Sequence, residues 1–240
     1  MANPTAAMLV IGDEILSGRT RDANMHYLAG QLTTRGIDLK EVRVVSDDRD
    51  AIVAAVKALS AGYAHVFTSG GIGPTHDDIT ADSIAAAFGV GIGVRDDARA
   101  LLQAHYARAG QVLNEARLRM ARIPDGATLI ENPVSTAPGF TLGNVHVLAG
   151  VPSVFQAMVA SILPMLTGGA PLLSRTLCLM RGEGDLAGPL GTFAANHPSL
   201  SVGSYPFQKD GIYGSNIVVR GMDAGELDAA MTELERLLAA

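Results

Sequence analysis

Two loops concentrate the residues that can do chemistry. TSGGIGPTHDDIT, residues 68–80, places Gly70, Gly71 and Gly73 in a turn and follows them with Thr75, His76, Asp77 and Asp78. IGDEILSGRTRDAN, residues 11–24, supplies Asp13, Glu14, Arg19 and Asn24. Glycines lack a Cβ, so such a turn can be sharp and can bring its N–H groups close to a ligand. A helix predicted to begin near Asp78 adds unpaired N–H groups and a positive dipole end facing the same space. That chemistry suits a phosphate. The spacing is not that of a GxxxxGK[ST] loop, and it departs from GxGxxG because His76 stands where the last glycine would be. Two carboxylates beside a phosphate need a screening charge, and Mg²⁺ or another divalent cation bridging carboxylate and phosphate provides it. Asp77, Asp78 and Asp13 are the candidate ligands, and with Glu14 they are also the candidate acid–base groups. Asp78 reads equally as a helix N-cap, Asp13 and Glu14 as a solvated turn, and His76 as a phosphate contact, a proton donor or a solvent-facing ring.

Two further loops join them. ENPVSTAPGF (131–140) is irregular and carries Ser135, Pro138 and Gly139 as candidate ligand contacts. AGVPS (149–153) places Gly150 before Pro152, the opening of another helix whose N-terminus can hold an anion.

The elements that must position these loops follow from periodicity. AAMLVIG (6–12), LKEVRVV (39–45) and AHVFTS (64–69) read as strands. The segments between and after them read as helices: 21–36 with Met25, Leu28, Ala29 and Leu32 on one face, 48–62 with Ile52, Val53, Val56 and Leu59, and 78–88. Strand–helix alternation with short connections predicts a doubly wound, mostly parallel α/β sheet. Helices at 96–109 and 114–121, a hairpin over 138–150 and a helix over 152–166 extend it. Beyond TGGAPL the order becomes βαββα, predicting a small α+β domain over 171–240 after a first domain over 1–170.

The composition excludes several classes. With 18 Lys and Arg against 24 Asp and Glu, and a net charge of −6, the chain lacks the basic face of a nucleic-acid binder. The single cysteine, Cys178 in TLCLM, rules out a disulfide within the chain and reads as a small buried strand residue. No stretch approaches the roughly 20 apolar residues of a membrane helix, and the N-terminus lacks the basic start of a signal peptide. A cytoplasmic protein is the expectation.

Taken in order, VIGDEILSGRTRDAN, TSGGIGPTHDDIT, ENPVSTAPGF and AGVPS resemble the MoaB/Mog molybdopterin-binding domain over about residues 6–168. GDEIL and GPTHDD are most similar to the N-terminal domain of CinA-type proteins and to the molybdopterin-binding-like domain of eukaryotic FAD synthases, and the GSYPF strand extends that similarity. The resemblance implies that Gly70, Gly71, Gly73 and Thr75 receive the phosphate end of a molybdopterin or nucleotide, with Asp13, Glu14, Asp77 and Asp78 in the same pocket. It implies metal-dependent adenylate transfer or molybdenum insertion in some members, and hydrolysis of ADP-ribose or FAD in CinA-type and FAD-synthase domains. The chain departs from the pattern at His76, where lysine is common, at Ala149, where proline is common, and at Ser135, where glycine is common. Nothing in it resembles an amidohydrolase or an FAD-synthesising domain. Three functions follow as expectations: a binding domain for a phosphorylated pterin or nucleotide with a divalent metal, a metal-dependent nucleotide pyrophosphohydrolase releasing AMP, or a non-catalytic oligomeric scaffold. The expected partners are a small phosphorylated molecule and further copies of the chain, with no nucleic acid and no membrane.

Overall fold

Strand β1 (Thr5–Ile11) is apolar on both faces, and six of its seven residues are buried. Only a strand covered by helices on both sides reads that way. In the computed structural model, which describes residues 2–209 and 211–239, the chain divides into two compact units, Met1–Gly169 and Ala170–Ala240.

The first unit continues through α1 (Asp13–Leu16), α2 (Asn24–Thr34), β2 (Asp38–Val45), α3 (Arg49–Gly62), β3 (His65–Ser69) and α4 (Thr80–Phe88). There follow β4 (Ile92–Val94), α5 (Asp96–Arg108), α6 (Glu115–Leu118), β5 (Arg122–Pro124), β6 (Thr128–Ile130), β7 (Gly139–Leu142), β8 (Val145–Leu148) and α7 (Pro152–Ile162). A 3₁₀ turn, Arg119–Ala121, joins α6 to β5. The main sheet has the order β2-β1-β3-β8-β7-β6. Its first four strands are parallel neighbours, whereas β7 runs antiparallel to both β8 and β6. The two faces of β1 feed two separate cores. Ala7, Leu9 and Ile11 pack with Ile52, Val56 and Leu59 of α3 and Ile84 of α4. Ala6, Met8 and Val10 pack with Leu28 and Leu32 of α2 and Phe155 and Met158 of α7. This is the doubly wound α/β arrangement that the alternation predicts.

Three local expectations change, and three short strands are added. The DEIL segment is not a loop but the single turn α1. Helix α4 begins at Thr80, and Asp78 does not cap it, because its carboxylate closes a turn on Thr75 instead. Met25 points outward, leaving Leu28 and Leu32 to carry the buried face of α2. Strands β4, β5 and β6 have three residues each, too few to show alternation in the sequence.

The second unit contains β9 (Leu173–Leu179), α8 (Glu183–Asn196), β10 (Ser201–Lys209), β11 (Ile212–Gly221) and α9 (Ala224–Ala239). Its antiparallel sheet has the order β10-β11-β9. The core is built from Leu186 and Phe193 of α8, Ile217 and Val219 of β11, and Leu227 and Leu234 of α9. Cys178 is exposed, contrary to the expectation from its apolar surroundings. Strand neighbours point to opposite faces; Leu177 and Leu179 pack on the core, so Cys178 must face away from it. Among the described residues no helix is long and apolar enough to cross a membrane.

Candidate functional site

A cavity of about 460 Å³ opens where β1, β3 and β8 end, bordered by Ile11, Gly70 and Ala149. The C-terminal edge of a parallel sheet is where such folds place ligands, because the loops diverge there. Of the residues singled out in the sequence, Glu14, Arg19, Gly70, Gly71, Gly73, Asp77, Asp78, Ser135 and Gly150 line it. Asp13, Asn24, Thr75, His76, Pro138 and Gly139 are not among the lining residues.

The glycines serve the chain's approach to itself as much as any ligand. A Cβ on Gly70, whose φ is 109°, would lie 2.2 Å from the Ile11 carbonyl oxygen. On Gly71 it would lie 2.1 Å from Thr80 Oγ1, and on Gly73 2.6 Å from Asp78 Oδ2. The turn is tied at both ends: the Gly70 amide donates to the Leu148 carbonyl at 3.2 Å, the Thr80 amide to the Gly71 carbonyl at 3.0 Å, and Thr80 Oγ1 to the Gly70 carbonyl at 3.0 Å. The first amide of α4 is therefore already engaged. The amides of Gly71, Ile72 and Gly73 have no acceptor among the described residues, and all three residues line the cavity. Consecutive unpaired amides in such a turn form an anion-binding concavity.

The acids divide by role. Asp78 Oδ2 accepts from the Thr75 amide at 2.7 Å and from the Thr75 hydroxyl at 2.5 Å, so this carboxylate maintains the turn. The Asp77 side chain is 63% exposed, with His76 Nδ1 3.9 Å away, and His76 itself is 98% exposed. Glu14 folds back over Gly12, where a Cβ would meet its Oε2 at 2.6 Å. Asp13 is exposed and contributes its amide, which donates to Asp47 Oδ2 at 3.0 Å.

Asp47 was missed in the sequence. It follows β2, lines the cavity, and has its pKa raised from the ordinary value by burial, with the Asp13 amide opposing and the charges of Asp13, Glu14 and Asp77 adding. The same strand-end rule that selected Asp13 would have selected it. Its neighbour Asp48 caps α3 through a bond from the Ala51 amide.

The set Asp13, Asp77 and Asp78 does not make a ready ion site. Among the described residues no three carboxylate, imidazole or thiol groups are placed to hold one ion, and Asp78 is already committed. The cavity instead fits a cation that brings its own ligands. Mg²⁺ binds through one or two carboxylates plus phosphate oxygens and water, a number that Asp77 and Glu14, both lining the cavity, would supply.

Asn24, proposed as a ligand contact, is buried. Its Nδ2 donates to Ser69 Oγ and to the Gly150 carbonyl, both at 2.8 Å, tying the end of β3 to the loop after β8. Asn24→Ala should cost about 1–3 kcal/mol through the two lost buried bonds, read as a shift of the urea midpoint at unchanged slope. The other wall rests on Asn132. Its Oδ1 accepts from the Val134 and Ser135 amides, and its Nδ2 donates to Ser135 Oγ at 2.6 Å and the Ala137 carbonyl at 2.8 Å. Within this loop Thr136 has φ 66°, and among the described residues no other non-glycine residue has a positive φ. Gly139 belongs to β7, where a Cβ would lie 2.4 Å from the Val147 carbonyl oxygen.

Comparison with known proteins agrees with this arrangement. Residues 7–168 match the family described as probable molybdopterin binding domain, and residues 171–240 match the FAD synthase middle domain. A probable FAD synthase of Caenorhabditis elegans is 33% identical over 98% of this chain and 50% of its own length. A CinA-like protein of Shewanella woodyi is 33% identical over 76% of this chain and 46% of its own length. The chain thus spans about half the length of these two relatives. The crystal structure of CinA from Thermoplasma acidophilum, a protein of unknown function, superposes with a TM-score of 0.62 at 35% identity, covering 68% of this chain and 97% of that one. With its first unit matched almost end to end, its second unit matched as well, and the glycine turn and acids gathered at one sheet edge, this chain belongs to the molybdopterin-binding-domain family, in its MoaB/Mog-like form with CinA-like and FAD synthase relatives.

Proposed function

We propose that the first unit binds a phosphorylated pterin or nucleotide, with the phosphate on the amides of Gly71, Ile72 and Gly73. One observation carries this reading: three successive amides at the cavity wall lack any acceptor within the described chain. These three residues are half-buried, so their amides are open to water in the free protein, and a phosphate oxygen can replace that water on several of them at once. Asp77 and Glu14 would hold a divalent cation, which offsets the charge of carboxylates and phosphate in one space. Ser135 and Gly150, on the facing wall, border the rest of the ligand.

Asp47 favours hydrolysis of a nucleotide pyrophosphate over binding alone. A carboxylate with a raised proton affinity is a better base near neutral pH. In this reading water attacks one phosphorus, Asp47 takes its proton, and the P–O bond to the other phosphate breaks, releasing AMP from ADP-ribose or FAD.

Titration with ADP in the presence of Mg²⁺ tests the binding step. Asp77→Asn should weaken affinity tenfold or more, the scale of a lost charged contact, while the unfolding temperature stays put because the side chain is largely exposed. Equal affinity in the variant would remove Asp77 from the site. AMP release from ADP-ribose, FAD and NAD with Mg²⁺, Mn²⁺ or Co²⁺ then separates cutting from holding. Asp47→Asn that binds ADP normally and releases no AMP is the expected result; full turnover in that variant refutes the base.

A further inference from the structure

The segment Ile72–Asp78 is anchored at its start, where Ile72 packs against both apolar cores, but beyond Ile72 few hydrogen bonds hold it to the rest of the protein. Thr75 and Asp78 bond to each other, and His76 and Asp77 face solvent. Among the described residues, one hydrogen bond joins this segment to anything outside it: Arg119 Nη2 donates to the Asp78 carbonyl at 3.2 Å. Arg119 opens the 3₁₀ turn between α6 and β5, and Arg122, the first residue of β5, pairs with Asp82 on the first turn of α4. Both arginines border a crevice of about 20 Å³ behind the glycine turn, together with Gly71, Gly73 and Asp78. That space is far too small for a phosphate.

We infer that Arg119 is a positioning residue, which sets the acidic turn against the cavity by gripping the Asp78 carbonyl and never touches the ligand. The inference rests on the proposed function only for its consequence in binding; the brace itself is a property of the free protein. Arg119 is absent from the lining of the large cavity, whereas Arg19, the one lysine or arginine that lines it, is free to meet a ligand directly. A guanidinium suits this task because it stays charged and donates along fixed directions. Its Nε is buried without a partner among the described residues, so the side chain is kept in place despite an unfulfilled donor, which a merely decorative surface arginine would not be.

Arg119→Met keeps most of the apolar stem and removes the donor; Arg119→Lys restores a charged donor. Amide hydrogen exchange is measured first, on the ligand-free protein. In Arg119→Met the Thr75 and Asp78 amides should exchange about tenfold faster or more, the scale of one lost bond from a charged group, while amides of β1 and β3 keep wild-type rates. Arg119→Lys should recover at least part of that protection. Affinity for ADP with Mg²⁺ should fall and recover in the same order. Unchanged exchange at Thr75 and Asp78 overturns the brace, as does faster exchange spread evenly through β1 and β3, or failure of lysine to restore protection. If the wild type binds no ADP, the proposed function fails, yet the exchange rates still decide the brace.

Discussion

Gly70→Ala is expected to destabilise the first unit by about 2–5 kcal/mol. The positive φ of 109° costs an L-residue about 1–2 kcal/mol, and the added methyl, 2.2 Å from the Ile11 carbonyl oxygen, adds about 1–3 kcal/mol of overpacking. Gly18 provides the control. Its φ is 72°, yet a Cβ there meets nothing within 4 Å, so Gly18→Ala should show only the conformational part, about 1–2 kcal/mol. Urea unfolding of the two variants beside the wild type separates the terms. Equal losses would mean that the backbone of β1 is not pressed against the turn. The distinction bears on function, because a glycine turn beside a phosphate site is usually explained by the ligand alone. Here the chain's contact with itself at Ile11, Thr80 and Asp78 already requires glycine, and the ligand uses the amides that this packing leaves over.

Acid should weaken the fold through His146 by about 2–3 kcal/mol between pH 7 and pH 4.5. The imidazole is 3% exposed at the start of β8, with Nε2 3.2 Å from His65 Nδ1 and Nδ1 3.0 Å from Thr141 Oγ1. Burial, and then the charge of His65, lowers its pKa from 6.5 to about 4. Burial lowers His65 as well. The unfolded chain therefore takes up a proton near pH 6.5 that the folded chain refuses until about pH 4. Stability is complete above the unfolded value and is lost as pH falls through this window, at about 1.4 kcal/mol per unit. His146→Gln stays neutral throughout, so its urea midpoint should fall less than that of the wild type across the same range. Parallel pH profiles would mean that His146 is already protonated in the fold. His65 and His146 stand at the opposite ends of their strands from the cavity, so ADP affinity measured on folded protein should not track this titration.

Much of the fold was legible because it rests on local regularities. The apolar run Ala6–Ile11 has no polar face to alternate, which requires cover on both sides, and the two cores built on its odd and even residues are that cover. Asp48 caps α3 and Pro152 opens α7, as their residue types favour. Cys178 was misjudged because an apolar neighbourhood in sequence says nothing about which face of an edge strand a residue takes.

The candidate site divides along the same line. Residue types and order alone determined that acids and a glycine turn stand at strand ends, since a parallel sheet sends every such loop to one edge. Only the tertiary structure decided what each group does there. Asp77 and Asp78 are adjacent and chemically identical, yet Asp78 accepts two hydrogen bonds from Thr75 and closes the turn, while the Asp77 side chain stays largely exposed. Asn24, a candidate ligand contact by its loop, is a buried tie from the start of α2 to Ser69 and to Gly150, 126 residues further along the chain. Asp47 and Arg119 lie far from the glycine turn in the chain, and no spacing rule connects them to it. Hydrogen bonds and burial between distant segments are absent from any local pattern, so the assignment of roles had to wait until the chain was folded.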